Sequence, residues 1–114
     1  MAAYIVARVN VQNRNAYQEY MRHTPRVIRK YGGRFMARGG QMVTLEGPEE
    51  KLRIVLIEFP SLENAKAFYQ SPEYAQIKKL REGGGEVQFV AIDGYAVTEW
   101  DAVVQASEKL TLPN

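Results

Sequence analysis

Charged side chains that could do chemistry lie inside two of the apolar segments of the sequence. Arg8 belongs to the first of these segments and Glu58 to a later one. If the two segments are parallel neighbouring strands, Arg8 and Glu58 lie at equivalent depth on one face of a sheet. A hairpin that turns at residues 47–50 would place residue 40 opposite Glu58 and bring Arg38 close. We therefore expect Arg8, Arg38 and Glu58 to form one charged cluster.

Apolar residues with the same alternating pattern are predicted to surround this cluster, namely Tyr4, Val6, Met42, Ile54 and Leu56. A mainly apolar pocket with a few convergent polar groups is typical of a small-molecule site. In such a site Arg8 or Arg38 would hold an oxyanion, and Glu58 would move a proton. The alternative interpretation is an ion-pair network that fixes the sheet register or a dimer interface, since structural networks perturb acids as readily as catalytic ones do.

His23 is the second candidate for proton transfer. It follows Glu19 by one helical turn and lies on the shoulder of a predicted amphipathic helix, beside Arg26. A hydrogen bond from the ring to Glu19 would orient the ring, and the histidine could then act as general base for an acidic C–H. The alternative is a partly exposed helix histidine without a catalytic role. A haem role is not expected, because a lone histidine beside cations is a poor proximal ligand.

The composition excludes several classes of site. The 114 residues include no cysteine and one histidine, which rules out disulfides, thiolate zinc sites, cysteine nucleophiles and metal sites built on several imidazoles. We expect no metal and no cofactor. No apolar segment approaches the length needed to span a bilayer, and the first residues lack the features of a signal peptide. We therefore expect a cytoplasmic protein with no membrane partner.

Charge is distributed unevenly along the chain. Residues 1–40 carry eight Lys or Arg and one acid, although the whole chain has a net charge of only +2. This indicates either a solvated basic helix face or attraction of an anionic ligand or nucleic acid. A nucleic-acid partner is not expected, because an RNA-recognition sheet needs stacking aromatics where the third strand here offers Ile54, Leu56 and Glu58. Neither glycine-rich phosphate-loop motif occurs.

The spacing of apolar residues predicts the order of the elements. Period-two alternation predicts strands at 4–11, 34–38, 52–59 and 87–92, and residues 42–46 are expected to continue the second strand past Gly39-Gly40. Three- and four-residue spacing predicts a helix at 13–31, which Pro25 is expected to kink near Met21 to Arg22, and a second helix that starts at Ser61 and restarts at Ser71-Pro72. The order βαββαβ predicts an α+β, ferredoxin-like sandwich with an antiparallel sheet in the strand order 4-1-3-2.

Two helices on one face of such a sheet leave the other face bare. Because that face carries the apolar residues named above, it is too apolar to remain in water. A second copy of the chain is the expected cover, which predicts a homodimer that forms an α/β barrel around a lumen.

Several short segments resemble one family in order and spacing. They are Tyr31 to Phe35 (YGGRF), Arg38 to Gly40 (RGG), Leu45 to Gly47 (LEG), Ile57 to Ser61 (IEFPS) and Ser71 to Tyr74 (SPEY), with Arg81 after them. The segments resemble an uncharacterised bacterial family of the dimeric α/β-barrel superfamily. The resemblance runs from about Tyr4 to Gly94 and implies the fold and dimerisation of a domain at residues 1–94, with no established activity. The superfamily includes cofactor-free monooxygenases of the antibiotic-biosynthesis type, muconolactone isomerase-like enzymes and haem-binding members.

Residues 95–114 lie outside the resemblance and are predicted to form a C-terminal helical extension. Thr98 and Asp101 have the spacing of a helix start, and Trp100, Val103 and Leu110 recur at helical spacing. An amphipathic helix this short is marginal alone, so we expect its apolar side to be docked. It would pack either on the helices of its own subunit or across the partner.

Two functions follow from these expectations. In the first, the lumen of the homodimer binds a small, partly apolar, anionic organic molecule and transforms it without a cofactor. In the second, the chain is a non-enzymatic ligand-binding or assembly module whose lumen is filled by side chains.

Overall fold

A single four-stranded sheet with helices on one of its faces forms the centre of the computed structural model, which describes residues 1–113. In chain order the elements are β1 (Ala3–Val11), α1 (Arg14–Lys30), β2 (Arg34–Ala37), β3 (Arg53–Phe59), α2 (Leu62–Gln70), α3 (Pro72–Lys78), a short 3₁₀ helix (Lys79–Arg81), β4 (Gly85–Asp93) and α4 (Val97–Glu108).

The strand order is β2-β3-β1-β4, and every neighbouring pair is antiparallel. Both features confirm the predicted ferredoxin-like sandwich, in which the second helix is divided into α2 and α3. The two central strands, β1 and β3, are antiparallel, so the parallel arrangement expected for them is wrong. As a consequence, the charged residues of these two strands do not have the neighbours that the sequence predicts, as described below.

Polar side chains begin the helices where the sequence places them. Asn13 accepts a hydrogen bond from the backbone of Ala16 at the start of α1. Ser61 and Ser71 do the same at the starts of α2 and α3. These caps satisfy backbone donors that have no partner inside the helix. After α1 the chain turns at Gly32, whose φ of +83° is accessible mainly to glycine.

The core lies between the helices and one face of the sheet. On β1 the alternate residues Ala3, Ile5, Ala7 and Val9 are buried, and β3 contributes Val55, Ile57 and Phe59. Aromatic residues of the helices fill the space above them, including Tyr20, Phe68 and Tyr74. Tyr20 and Tyr74 join their hydroxyls in a buried hydrogen bond of 2.7 Å, which gives each polar group a partner.

Residues 38–52, which we call the arm, have no helix or strand. The expectation that residues 42–46 continue the second strand is therefore wrong. β2 ends at Ala37, after an irregularity in its pairing with β3, and Gly39 then turns the chain with a φ of +72°. The arm is almost wholly exposed, and Leu45 within it is 93% exposed.

The C-terminal helix is present, but it is not docked. α4 begins at Val97 after Ala96 without a side-chain cap, so the predicted start at Thr98 is wrong. No residue of α4 is buried, and Trp100 is 57% exposed. Of the two alternatives for α4, this structure does not show the one in which it is buried against the helices of its own subunit.

Within residues 1–113, no helix combines the length and apolar character needed to cross a membrane.

Candidate functional site

One face of the sheet carries no helices, and we call it the helix-free face. It presents the residues of each strand that alternate with those facing the helices. It is formed by Tyr4, Val6 and Arg8 of β1, Ile54, Leu56 and Glu58 of β3, and Val90 and Ile92 of β4. Most of these side chains are apolar, yet all are half-buried or exposed. The structure thus places four of the predicted wall residues, Tyr4, Val6, Ile54 and Leu56, on one surface.

A groove with a volume of about 700 Å³ runs between the arm and this face. Ile54 and Leu56 line it from the sheet, and Met42, Val43 and Leu45 line it from the arm. Its polar boundary includes Arg38, Thr44 and Glu50. Met42 therefore belongs to the groove as expected, although it reaches the groove from the arm and not from a strand.

Arg8 and Glu58 do not lie together. Because β1 and β3 are antiparallel, Arg8 pairs with Ile54, whereas Glu58 pairs with Tyr4 four residues further along β1. The predicted cluster of Arg8, Arg38 and Glu58 is therefore wrong. Each of the three residues has a different partner.

Glu58 pairs with Arg34, the first residue of β2, which lies directly opposite it in the sheet. The Arg34 Nε donates to Glu58 Oε1 at 3.1 Å. The Glu58 side chain retains 27% of its exposure and that of Arg34 retains 68%. Glu58 is thus beside an arginine, as expected, but the arginine comes from the start of β2 and the pair is in contact with solvent.

Arg8 binds Glu50 at the base of the arm. The Arg8 Nη2 donates to both carboxylate oxygens of Glu50, at 3.0 and 2.9 Å. Glu50 also accepts a hydrogen bond from the backbone of Leu52. The Leu52 N–H and then the Arg8 guanidinium lower the pKa of Glu50 below its ordinary value. This pair ties the returning end of the arm to β1.

Arg38 and His23 both belong to the helix side of the molecule. Arg38 donates to the carbonyl oxygen of Met21 at 3.3 Å and lies over the Phe35 ring at 4.5 Å. Arg38 also lines the groove. His23 contacts Glu19 at 3.3 Å, as expected, and also Arg26 at 2.6 Å. Neither His23 nor Glu58 lines the groove, although Glu58 lies on the same face of β3 as Ile54 and Leu56.

Sequence reasoning missed the arm, Glu50 and Arg34 as parts of this site. Arg34 carried a usable signal, because it occupies the predicted second strand at the position that a long hairpin connection brings opposite Glu58. Glu50 had none, since it lies in a segment interpreted as a turn.

The order of elements, the antiparallel sheet and its open apolar face define a ferredoxin-like α+β protein. The chain belongs to the family described as Domain of unknown function (DUF1330), whose model matches residues 2–95. This confirms the resemblance to an uncharacterised family. No curated protein is significantly similar in sequence.

Solved structures share the fold at low sequence identity. A protein of unknown function from Rhodopseudomonas palustris is 18% identical with a TM-score of 0.68, over 83% of each chain. A dimeric protein of unknown function with a ferredoxin-like fold, from Bacteroides fragilis, is 17% identical with a TM-score of 0.52, over 82% of this chain and 96% of that one. SnoaB, a cofactor-independent oxygenase from Streptomyces nogalater, is 10% identical with a TM-score of 0.57, over 84% of this chain and 95% of that one.

Proposed function

We propose that this chain is a homodimer in which a second copy covers the helix-free face and encloses a site for a small, partly apolar, anionic organic molecule. The groove between the arm and β3 is the observation that carries the proposal. Its volume of about 700 Å³ falls within the usual range of roughly 300–1,000 Å³ for small-molecule sites. Its lining is mainly apolar, with a few polar groups at its ends.

The need for a second copy follows from the open side of the groove. Val90 and Ile92 extend the same apolar surface across β4 and are 50% and 57% exposed. A continuous apolar surface of this kind marks an interaction site. The similarity to a dimeric protein of ferredoxin-like fold supports a copy of the same chain as the cover.

Three charged residues in or beside the groove have roles in this proposal. Arg38 lines the groove, and Arg8 is bound to the groove residue Glu50; these two arginines would hold the anionic group, since a guanidinium suits a carboxylate or phosphate. Glu58 would transfer a proton once Arg34 releases it. The proposal includes a reaction without a cofactor because one structural neighbour is a cofactor-independent oxygenase. His23 has no role in it.

The alternative is an assembly module whose lumen is filled. It is favoured by the size of the exposed arm residues, because Met42, Val43 and Leu45 of two copies could occupy the groove themselves. A filled lumen leaves no volume for a ligand.

Titration of the intact protein with a panel of small aromatic carboxylates, followed by backbone NMR shifts, tests the proposal. We expect saturable shifts at Ile54, Leu56 and Met42. Ile54→Trp fills the groove and should abolish them, whereas Val90→Trp introduces the same ring on the same face away from the groove and should not. Sedimentation of each variant shows whether dimerisation is retained. A stable dimer that binds no member of the panel would contradict ligand binding and leave the assembly module.

A further inference from the structure

Three arginines converge on the helix side of the sheet, opposite the groove. We call Arg38, Arg53 and Arg81 the arginine cluster. The five ion pairs found among residues 1–113 join other residues and include none of these three. A group of like charges without a carboxylate is costly for a folded chain unless something neutralises it.

A small cavity lies beside this cluster, between α1 and the sheet, and Arg81 is not among the residues that line it. Arg38, Arg53 and Tyr17 line it together with apolar residues of the core such as Val9 and Val55. Its volume is about 30 Å³, which is room for roughly two waters. The two oxygens of a carboxylate or of a phosphate edge occupy a similar space.

Two donors in the cluster have no partner. Nε of Arg53 and Nε of Arg81 are both buried without a hydrogen bond within the structure. Buried polar groups are almost always satisfied, and an unsatisfied one costs its full desolvation. An acceptor from outside the chain would satisfy them, and an anion would also neutralise the charge.

The remaining arginine is held in place by an unusual feature of α1. Pro25 has no N–H, so the carbonyl of Met21 lacks its helical partner. Arg38 donates to that carbonyl at 3.3 Å. This bond occupies one nitrogen of the guanidinium and fixes the rest of the group at the edge of the cavity.

Tyrosines complete the surroundings. Arg81 lies against the ring of Tyr20, with 5.4 Å between the guanidinium carbon and the ring centroid. Burial raises the pKa of Tyr17, while the positive charges of Arg53, Arg81 and Arg38 act in the opposite direction. The Tyr17 hydroxyl is therefore within the electrostatic field of all three guanidinium groups.

We propose that the arginine cluster is a binding site for a small oxyanion, a carboxylate or a phosphate group, separate from the groove. The site is built from β3, the start of the arm and the 3₁₀ helix around α1. Arg38 lines both the cavity and the groove, whereas Arg53 and Arg81 do not line the groove, so binding of an oxyanion by these two arginines does not require the ligand proposed for the groove.

Titration of the intact protein with inorganic phosphate tests this site, with sodium chloride at equal ionic strength as the reference. In ¹H–¹⁵N spectra the arginine Nε–H resonances of Arg53 and Arg81 are expected to shift and saturate. Acetate in a parallel titration distinguishes a site for carboxylates from one for phosphate. Arg53→Gln should weaken binding by about tenfold or more, the expected effect of losing a charged hydrogen bond. Arg29→Gln removes the same charge from the exposed surface of α1 and should leave the affinity unchanged.

Stability without phosphate separates a binding site from a structural cluster. If the arginines bind an anion, Arg53→Gln should leave the melting temperature in sodium chloride unchanged or higher, because it removes a like charge. A structural role predicts a lower melting temperature instead. If Arg53→Gln does not fold, the wild-type Nε–H titration still decides the question. Failure of both anions to shift these resonances, or equal weakening by Arg29→Gln, would overturn the proposal.

Discussion

Pro25 removes one backbone donor from α1, and the carbonyl that loses its partner is bonded from elsewhere. Met21 would normally accept from residue 25, but it accepts instead from the Thr24 hydroxyl and from Arg38, each at 3.3 Å. The helix stays continuous from Arg14 to Lys30 because the free carbonyl is satisfied. The sequence predicts the loss of the donor but not its replacement, since Arg38 is distant along the chain.

Replacing Glu58 by leucine tests whether its ion pair stabilises the fold. We expect the free energy of unfolding of Glu58→Leu to stay within about 1 kcal/mol of wild type, because Arg34 is largely exposed and can be hydrated once its partner is lost. Urea unfolding monitored by circular dichroism gives the value.

Glu50→Leu, measured in the same way, is the matched comparison, because Glu50 also pairs with an arginine but in addition accepts from the Leu52 backbone. It should be the more destabilising of the two. A loss of about 3–5 kcal/mol in Glu58→Leu would show that the pair is desolvated, and our account of Arg34 as solvated would be incorrect.

Which residues share a face was predictable, and which residues meet was not. Side-chain direction alternates along a strand, so Tyr4, Val6, Ile54 and Leu56 fall on one surface from local information alone. Which residues lie opposite each other depends on the direction and register of the neighbouring strand. The assumed turn at residues 47–50 gave the wrong register, because the real connection between β2 and β3 is the whole arm.

At the scale of elements, the arm shows where an apolar pattern misleads. Met42, Thr44 and Glu46 alternate with Val43 and Leu45 as in a strand, yet these residues have no strand partner among residues 1–113. An alternating apolar pattern indicates that one side of a segment packs on an apolar surface. The pattern does not distinguish a surface of the same chain from a surface of another copy. The strands that pair within the chain were all predicted, with shifted ends.

Removal of residues 96–114 tests the role of α4. Because α4 contributes no buried residue, the remaining domain should keep its fold. The exposed Val97, Trp100 and Val103 would instead pack on the partner, since a helix of this length is marginal alone. We therefore expect the truncated chain to dimerise more weakly, as measured by sedimentation over a range of concentrations.

Trp100 provides an internal probe for the same question, because it is the only tryptophan in the chain. Its fluorescence should shift to shorter wavelength as the protein dimerises. Trp100→Ala should weaken dimerisation, whereas Glu99→Ala on the neighbouring position serves as the control. Unchanged affinity in the truncated chain, with no fluorescence shift, would contradict the docking of α4 on the partner.

At the scale of the whole molecule, the chain is more extended than a compact domain of its length. The radius of gyration is 17.5 Å, whereas a compact chain of this length has about 13 Å. The accessible surface of 8433 Å² exceeds by about 2,000 Å² the value expected for a monomer of this mass. The arm, α4 and the helix-free face account for this excess, because each exposes large apolar side chains.

The βαββαβ order was predictable because it depends on periodicities within segments and on the glycine and proline residues between them. The extended shape was not predictable, since the same apolar patterns arise from a core and from an interface. The groove depends on that shape, which is why its volume and its arm residues emerge only from the structure.

The excess surface leads to a prediction about unfolding. If each chain buries most of about 2,000 Å² on pairing, the interface has the area of an obligate homodimer. Folding and association are then coupled, so the midpoint of thermal unfolding should rise with protein concentration. Sedimentation at micromolar concentration should give twice the chain mass of 13.0 kDa.

Leu56→Glu places a charge on the helix-free face and should lower both the mass and the midpoint, whereas Ala75→Glu on the exposed surface of α3 should change neither. A chain that sediments as a 13.0 kDa monomer and unfolds at one temperature regardless of concentration would contradict the dimer and, with it, the enclosed groove.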